Sequence, residues 1–363
     1  MKPRKETCLH GIRPKQMKEY IKNLISELCA PFTVTGFEKF GHESLIRTLS
    51  PLFDETECTN TQNLYFIRRA SSDSARTLLI DAHCDEIGFM VSGICERGFL
   101  HFVPLGGIDT RILAGAEVEI YGKSRFKGII TSRAPHLMSA EERTKNPDIA
   151  HLFIDTGKSR EWLLENAPIG TPVGFSIPVT ELKNGRIAAK GLDNKACVAA
   201  AATAVKLLCG IPINVNIILM LSSREETGSM GAVTGAFKLR PDMALVLDVN
   251  LAYTPTDGAD EAALRRRTVE LGSGAAISMS AVTDRRLTQT LIGIAEAKAI
   301  MHQLIVEADG TGTNADRMAL VASGIPCAVV SVPLKNMHTY SETVCTEDIE
   351  NTARLICEYI KSL

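Results

Sequence analysis

Four short apolar runs limit what this 363-residue chain can fold into more than any other feature. They are "TLLIDAH" at 77–83, "NVNIILML" at 214–221, "MALVLDV" at 243–249 and "PCAVVSV" at 326–332. Each has the length of one strand, and "TLLIDAH" is so nearly apolar throughout that it reads as a strand buried on both faces. Helical patterns fall beside them, at 17–29, 39–53, 194–208 and 230–237. "GRIAAKGL" at 185–192 leads into the third of these. Alternating strand and helix predict an α/β fold with an open mixed or parallel sheet flanked by helices.

Between about 88 and 178 the texture changes. "FLHFVPL", "AEVEIYG" and "FKGIITS" alternate with "GG", "AG" and "GK" turns, the pattern of a small β-rich unit. The expected organisation is one discontinuous α/β domain, 1–87 with 179–363, interrupted by a β-barrel-like insert at 88–178. The most polar stretch, "TPTDGADEAALRRR" at 254–267, predicts an exposed loop.

Hydrophobic residues at 45% supply a core of ordinary size, and a net charge of −2 gives no field that recruits nucleic acid or an anionic membrane. No run approaches the roughly 20 apolar residues of a membrane span. The basic stretch "MKPRKETCLHGIRPKQ" lacks the apolar segment of a secretory signal. The ten cysteines contain no CxxC pair, and are expected to be reduced thiols in a cytoplasmic protein.

The polar residues fall where the apolar runs end. His83 and Asp85 follow "LLID", Asp193 follows "AAKGL", Glu225 and Glu226 follow "IILMLSS", Asp248 follows "ALVL", and His338 follows "AVVSVPL". Open α/β sheets bind ligands beyond the carboxyl ends of their strands. Singly, Asp193 reads equally well as a helix cap, the two glutamates as a solvated pair, and His83 as a hydrogen-bonded core histidine. Together they form one set of imidazole and carboxylate donors that suits a pair of divalent ions, zinc or a neighbouring first-row metal, with one carboxylate bridging. Such a site activates water near neutral pH. One of Glu225 and Glu226 is then a ligand and the other a free general base. Asp85 is placed to orient the His83 imidazole. Asp81 shares the side of the strand but has no chemical role, and is expected to make a structural hydrogen bond.

The chain resembles the M42 family of metal-dependent aminopeptidases, the glutamyl and tetrahedral aminopeptidase group. The matching segments are "TGFE", "DAHCDEIGFMV", "FVPLGGIDTRILAGAEV", "KGLDNK", "REETGSMGA", "LVLDV" and "GIPCAVVSVPLKNMH". The resemblance implies a fold of the dinuclear-metal exopeptidase type and hydrolysis of N-terminal residues from peptides. His83, Asp193 and Asp248 would hold one ion, and Asp193, Glu226 and His338 the other, with zinc or cobalt as the metals. Glu225 would be the catalytic base acting on a water between the ions, and Asp85 the orienting acid. The resemblance also implies a cis Asp193–Asn194 peptide bond, an insert that mediates dimerisation, and dimers assembled into dodecamers.

Three positions depart from the family pattern. Asn314, in "GTGTNAD", replaces an aspartate near the expected substrate pocket, "MHTYSE" surrounds His338, and "DNK" follows the bridging aspartate. A dinucleotide site in "LIVEADGTGTNADRMALVAS" is disfavoured, because residues 324–341 contain no acid for a ribose. Two further readings stand beside the peptidase: a hydrolase of another amide or a glycoside, and a non-catalytic assembly that kept the fold.

Overall fold

The computed structural model describes residues 13–72, 74–253 and 269–363. The stretch 254–267, expected to be an exposed loop, lies outside the described residues, as does most of the basic N-terminal stretch.

The four apolar runs become adjacent parallel strands at the centre of one large mixed sheet. In spatial order these are Asn216–Leu221, Thr77–Asp81, Met243–Leu251 and Cys327–Lys335. Their side chains are almost all buried, as expected of strands covered on both faces. The sheet turns antiparallel towards its margins. Leu64–Arg68 and Glu55–Cys58 continue it on one side, and Glu342–Cys345 and Arg186–Ala189 on the other. "GRIAAKGL" is therefore an antiparallel margin strand rather than the first half of a parallel βα unit.

One face of the sheet is covered by helix Leu192–Leu207, which is buried along most of its length. It has no polar stripe because it is itself covered, by helices Pro14–Cys29 and Thr346–Ser362. The run "ACVAAAATAV" suits that position, since small side chains let helices and sheet approach closely on all sides. The helical pattern expected over 39–53 is broken into a short 3₁₀ turn, helix His42–Leu49 and a second 3₁₀ turn. Gly41 marks the first break, where a Cβ would lie 2.4 Å from the Thr33 methyl.

The strands between Gly88 and Phe175 close into a six-stranded antiparallel barrel. Its core is an edge-to-face cluster in which the Phe89 ring lies 5.0 Å from Phe102 and 5.2 Å from Phe175, a favoured aromatic geometry. Among the described residues, no helix is long and apolar enough to cross a membrane. Among the described residues eight cysteines are free thiols, but Cys209 is disulfide-bonded. The expectation of ten reduced thiols therefore fails at that position.

Candidate metal centre

Most site residues lie in or just beyond central strands, and Asp193 follows the margin strand Arg186–Ala189. Beyond Asp81 the chain continues in line through His83, and the amide of Cys84 donates to the Ser222 carbonyl at 2.8 Å. Lys195, 1% exposed, reaches under this segment and donates to the Cys84 carbonyl at 2.6 Å and the Thr33 hydroxyl at 2.8 Å. His83 is thus held from both sides. Its Nε2 faces Asp193 Oδ1 at 3.0 Å and Asp248 Oδ1 at 3.8 Å. Its Nδ1 lies 3.0 Å from the Asp85 carbonyl and 3.5 Å from Asp85 Oδ1.

Asp193 begins helix Leu192–Leu207 in a non-helical conformation, and the Asp193–Asn194 peptide bond is cis. Its carboxylate does not cap the helix. Oδ1 faces His83, while Oδ2 faces His338 Nε2 at 3.5 Å. His338 Nε2 lies 3.3 Å from Glu226 Oε2. The described residues accordingly hold two clusters of metal-ligand atoms, His83–Asp193–Asp248 and Asp193–Glu226–His338. Within each cluster the ligand atoms lie within 4.8 Å of one another, and Asp193 belongs to both.

The adjacent glutamates are fixed by carboxylates behind them. Arg224 has a left-handed backbone, φ 55°, and the three amides from Arg224 to Glu226 all point inwards. Glu38 Oε1 accepts from the Arg224 amide at 2.9 Å, and the two oxygens of Asp85 accept from Glu225 and Glu226 at 3.1 Å each. Glu225 and Glu226 therefore leave a pinned backbone in different directions. Two elements missed in the sequence join them. Glu342, fully buried, accepts from the amides of both Asp193 and His338. The barrel contributes Gly106 and Gly107: a Cβ on the first would lie 3.3 Å from Glu226 Oε2, and one on the second 3.0 Å from His338 Nδ1.

Without a cation the cluster is electrostatically crowded. Burial pushes the carboxyls of Asp248, Glu226 and Glu225 above their ordinary range, and the Asp193 charge adds to it in each. Burial would likewise raise Asp193 and depress His83. Their mutual hydrogen bond, with those of His338 to Asp193 and Asp85 to His83, outweighs it, so Asp193 sits well below its ordinary value and His83 well above. Carboxylates crowded with imidazoles in a dry site suit divalent cations, which supply the missing charge. The donor set of nitrogen and carboxylate oxygen, without cysteine, fits zinc or a neighbouring first-row metal.

Asn314 is a buried residue. It is 1% exposed, and its Nδ2 donates to Asp81 Oδ2 at 2.8 Å and to the Ser222 hydroxyl at 2.9 Å. Asp81 therefore makes a structural hydrogen bond, and its partner is one of the residues by which the chain departs from the family pattern.

A model of the M42 glutamyl aminopeptidase family matches residues 63–355. A lysyl aminopeptidase of Pyrococcus furiosus is 28% identical over 335 residues, 91% of this chain and 94% of that protein. Among solved structures, an aminopeptidase of Desulfurococcus kamchatkensis superposes with a TM-score of 0.87 at 28% identity, covering 96% of each chain. The TET1 peptidase of Pyrococcus horikoshii, described as assembling into a tetrahedron or a large octahedral shell, superposes with a TM-score of 0.79 at 28% identity. That match covers 95% of this chain and 99% of the other.

Proposed function

We propose, for a chain that belongs to the M42 glutamyl aminopeptidase family and is accordingly a metallo-aminopeptidase acting on peptide bonds, that it works with two divalent ions. His83, Asp193 and Asp248 would hold one, and Asp193, Glu226 and His338 the other. The observation that carries this reading is the shared carboxylate, since Asp193 is the one residue common to both ligand clusters. Bound there, zinc or cobalt would supply Lewis-acid polarisation of the scissile carbonyl and a water ionised near neutral pH.

The remaining chemistry falls to the chain's own residues. Glu225, beside the ligand Glu226 but outside both ligand clusters, would take a proton from the attacking water and return it to the departing amine. Asp85 keeps Glu225 in place through its amide and keeps the His83 ring in one orientation through Nδ1. The barrel, by the same reading, pairs with that of a second copy and the dimers build a larger homo-oligomer, a reading supported by the tetrahedral or octahedral assembly of the similar TET1 peptidase.

The test is release of free amino acid from aminoacyl p-nitroanilides by metal-loaded protein, with metal content measured in the same samples. Turnover should vanish on exhaustive chelation and return with zinc or cobalt. N-acetylated substrates should not be cleaved. Activity that survives complete metal removal overturns the mechanism, and cleavage of blocked substrates overturns the exopeptidase reading. A particle whose sedimentation is unchanged by disruption of 88–178 overturns the role of the barrel in assembly.

A further inference from the structure

Glu342 opens strand Glu342–Cys345 at the sheet margin and is 1% exposed. Its two oxygens are divided between two backbone donors. Oε2 accepts from the Asp193 amide at 2.9 Å, and Oε1 accepts from the His338 amide at 3.0 Å. Those residues come from chain segments far apart in sequence, and one buried carboxylate spans them. We propose that Glu342 is a positioning residue that sets the spacing of Asp193 and His338, and thereby the affinity of the ion held by Asp193, Glu226 and His338. The inference rests on the two-ion reading above and assigns a determinant to only one of the two sites.

The asymmetry follows from how the two histidines are held. His83 is 2% exposed, continues a central strand, and is braced beneath by Lys195. His338 has a side chain 37% exposed and sits on a turn in which both it and Asn336 are left-handed, with φ of 58° and 59°. Such a conformation is uncommon for residues other than glycine and persists only where the surroundings fix it. The turn carries a Thr339 hydroxyl bond to the Asn336 carbonyl at 2.8 Å, but that bond is internal to it. The bonds to Glu342 tie the His338 backbone to that of Asp193 across the site. Asp248, by contrast, lies in strand Met243–Leu251, and its neighbour Leu247 is fixed by Asn194 Nδ2 at 2.8 Å. The site of His83, Asp193 and Asp248 thus retains two ligands that Glu342 does not touch.

A glutamine is the informative substitution because it keeps the shape. Its single carbonyl oxygen accepts from one amide, while its amino group faces the other donor. Zinc binding to metal-free protein is measured by competition with a chelator of known affinity, alongside circular dichroism and thermal unfolding of the same samples. Wild type should take up two equivalents. E342Q should take up the first equivalent as wild type does and bind the second at least tenfold more weakly, with E342D in between. A wild type that binds fewer than two equivalents sinks the two-ion reading. Two equivalents of unchanged affinity in E342Q overturn the present inference, as does equal weakening of both, which is the behaviour of a general framework residue. Should the substituted proteins not fold, hydrogen exchange on wild-type protein without metal decides. The His338 and Asp193 amides should be protected, and rapid exchange there overturns the role of Glu342.

Discussion

Asp85 Oδ1 accepts the backbone amide of Glu225 at 3.1 Å, so the proposed base is held by an acid that comes from a different strand end. The same carboxylate takes the next amide, Glu226, on its other oxygen. In Asp85→Asn only one of the two amides keeps an acceptor, and an unpaired buried amide costs about 1–3 kcal/mol. Turnover should fall about 10–100-fold, the usual range for residues behind metal ligands, with zinc content largely kept. Complete loss of both ions on dialysis would show that Asp85 maintains the ligands rather than the base.

Glu225→Gln separates the two glutamates. Removing a general base costs about 10²–10⁴-fold in rate, and the ligand clusters do not include Glu225. The variant should bind two ions with wild-type affinity and turn over at least a hundredfold more slowly. Metal loss instead would exchange the proposed roles of Glu225 and Glu226.

Gly107→Ala tests whether the barrel touches the chemistry. The added Cβ would lie 3.0 Å from His338 Nδ1, closer than ordinary van der Waals contact, so the imidazole has to shift. A loss in kcat on the order of tenfold is expected, again within the range for groups adjoining metal ligands. Gly93→Ala is the control within the same barrel, since its Cβ meets His101 only at 3.5 Å. Equal activity of the two variants would separate Gly107 from the centre.

Asp348 gives the fold a pH dependence remote from the metal ligands. It accepts the amides of Gly272 and Gly274 at 2.7 Å each, yet burial pushes its carboxyl from 3.8 up to about 6. Because the folded value exceeds the unfolded one, the folded state holds the proton more tightly. The associated stability is full below about pH 4 and is lost as pH rises through about 6. A shift of this size corresponds to about 3 kcal/mol. Urea unfolding of wild type and Asp348→Asn should show wild type losing about that much relative to the variant between pH 4 and 7. A difference that is flat, or that grows with pH, contradicts the assignment.

The clustering of the candidate ligands was legible because polar residues at successive strand ends leave a mark in sequence. His83, Asp193, Glu226, Asp248 and His338 each follow an apolar run, and that placement brings them together. Glu342, Glu38 and Lys195 were not legible, although Glu38 lies within "TGFE" and Glu342 follows His338 by four residues. Each acts by bonding to the backbone of a segment distant in sequence, and such a bond demands no residue type at its other end. The structural bond of Asp81 was expected, but its partner, Asn314, was not legible because the two lie far apart in sequence. The direction of the margin strand Arg186–Ala189 was not legible, because apolar alternation carries no information about direction.

The order of strands in the large sheet bears on the moment at which the enzyme comes into being. Thr77–Asp81 is flanked by Asn216–Leu221 and Met243–Leu251, so the strand that leads to His83 has no parallel neighbour until much later stretches are made. The barrel strands, all between Gly88 and Phe175, need only one another. Contacts that are local in sequence close faster than distant ones, and chains emerge from the ribosome N-terminus first. The barrel should therefore close on a nascent chain before Glu226, Asp248 and His338 have been added. Limited proteolysis of stalled chains ending near residue 200 tests this, with a resistant 88–175 core as the expected product and its complete digestion as the contrary one.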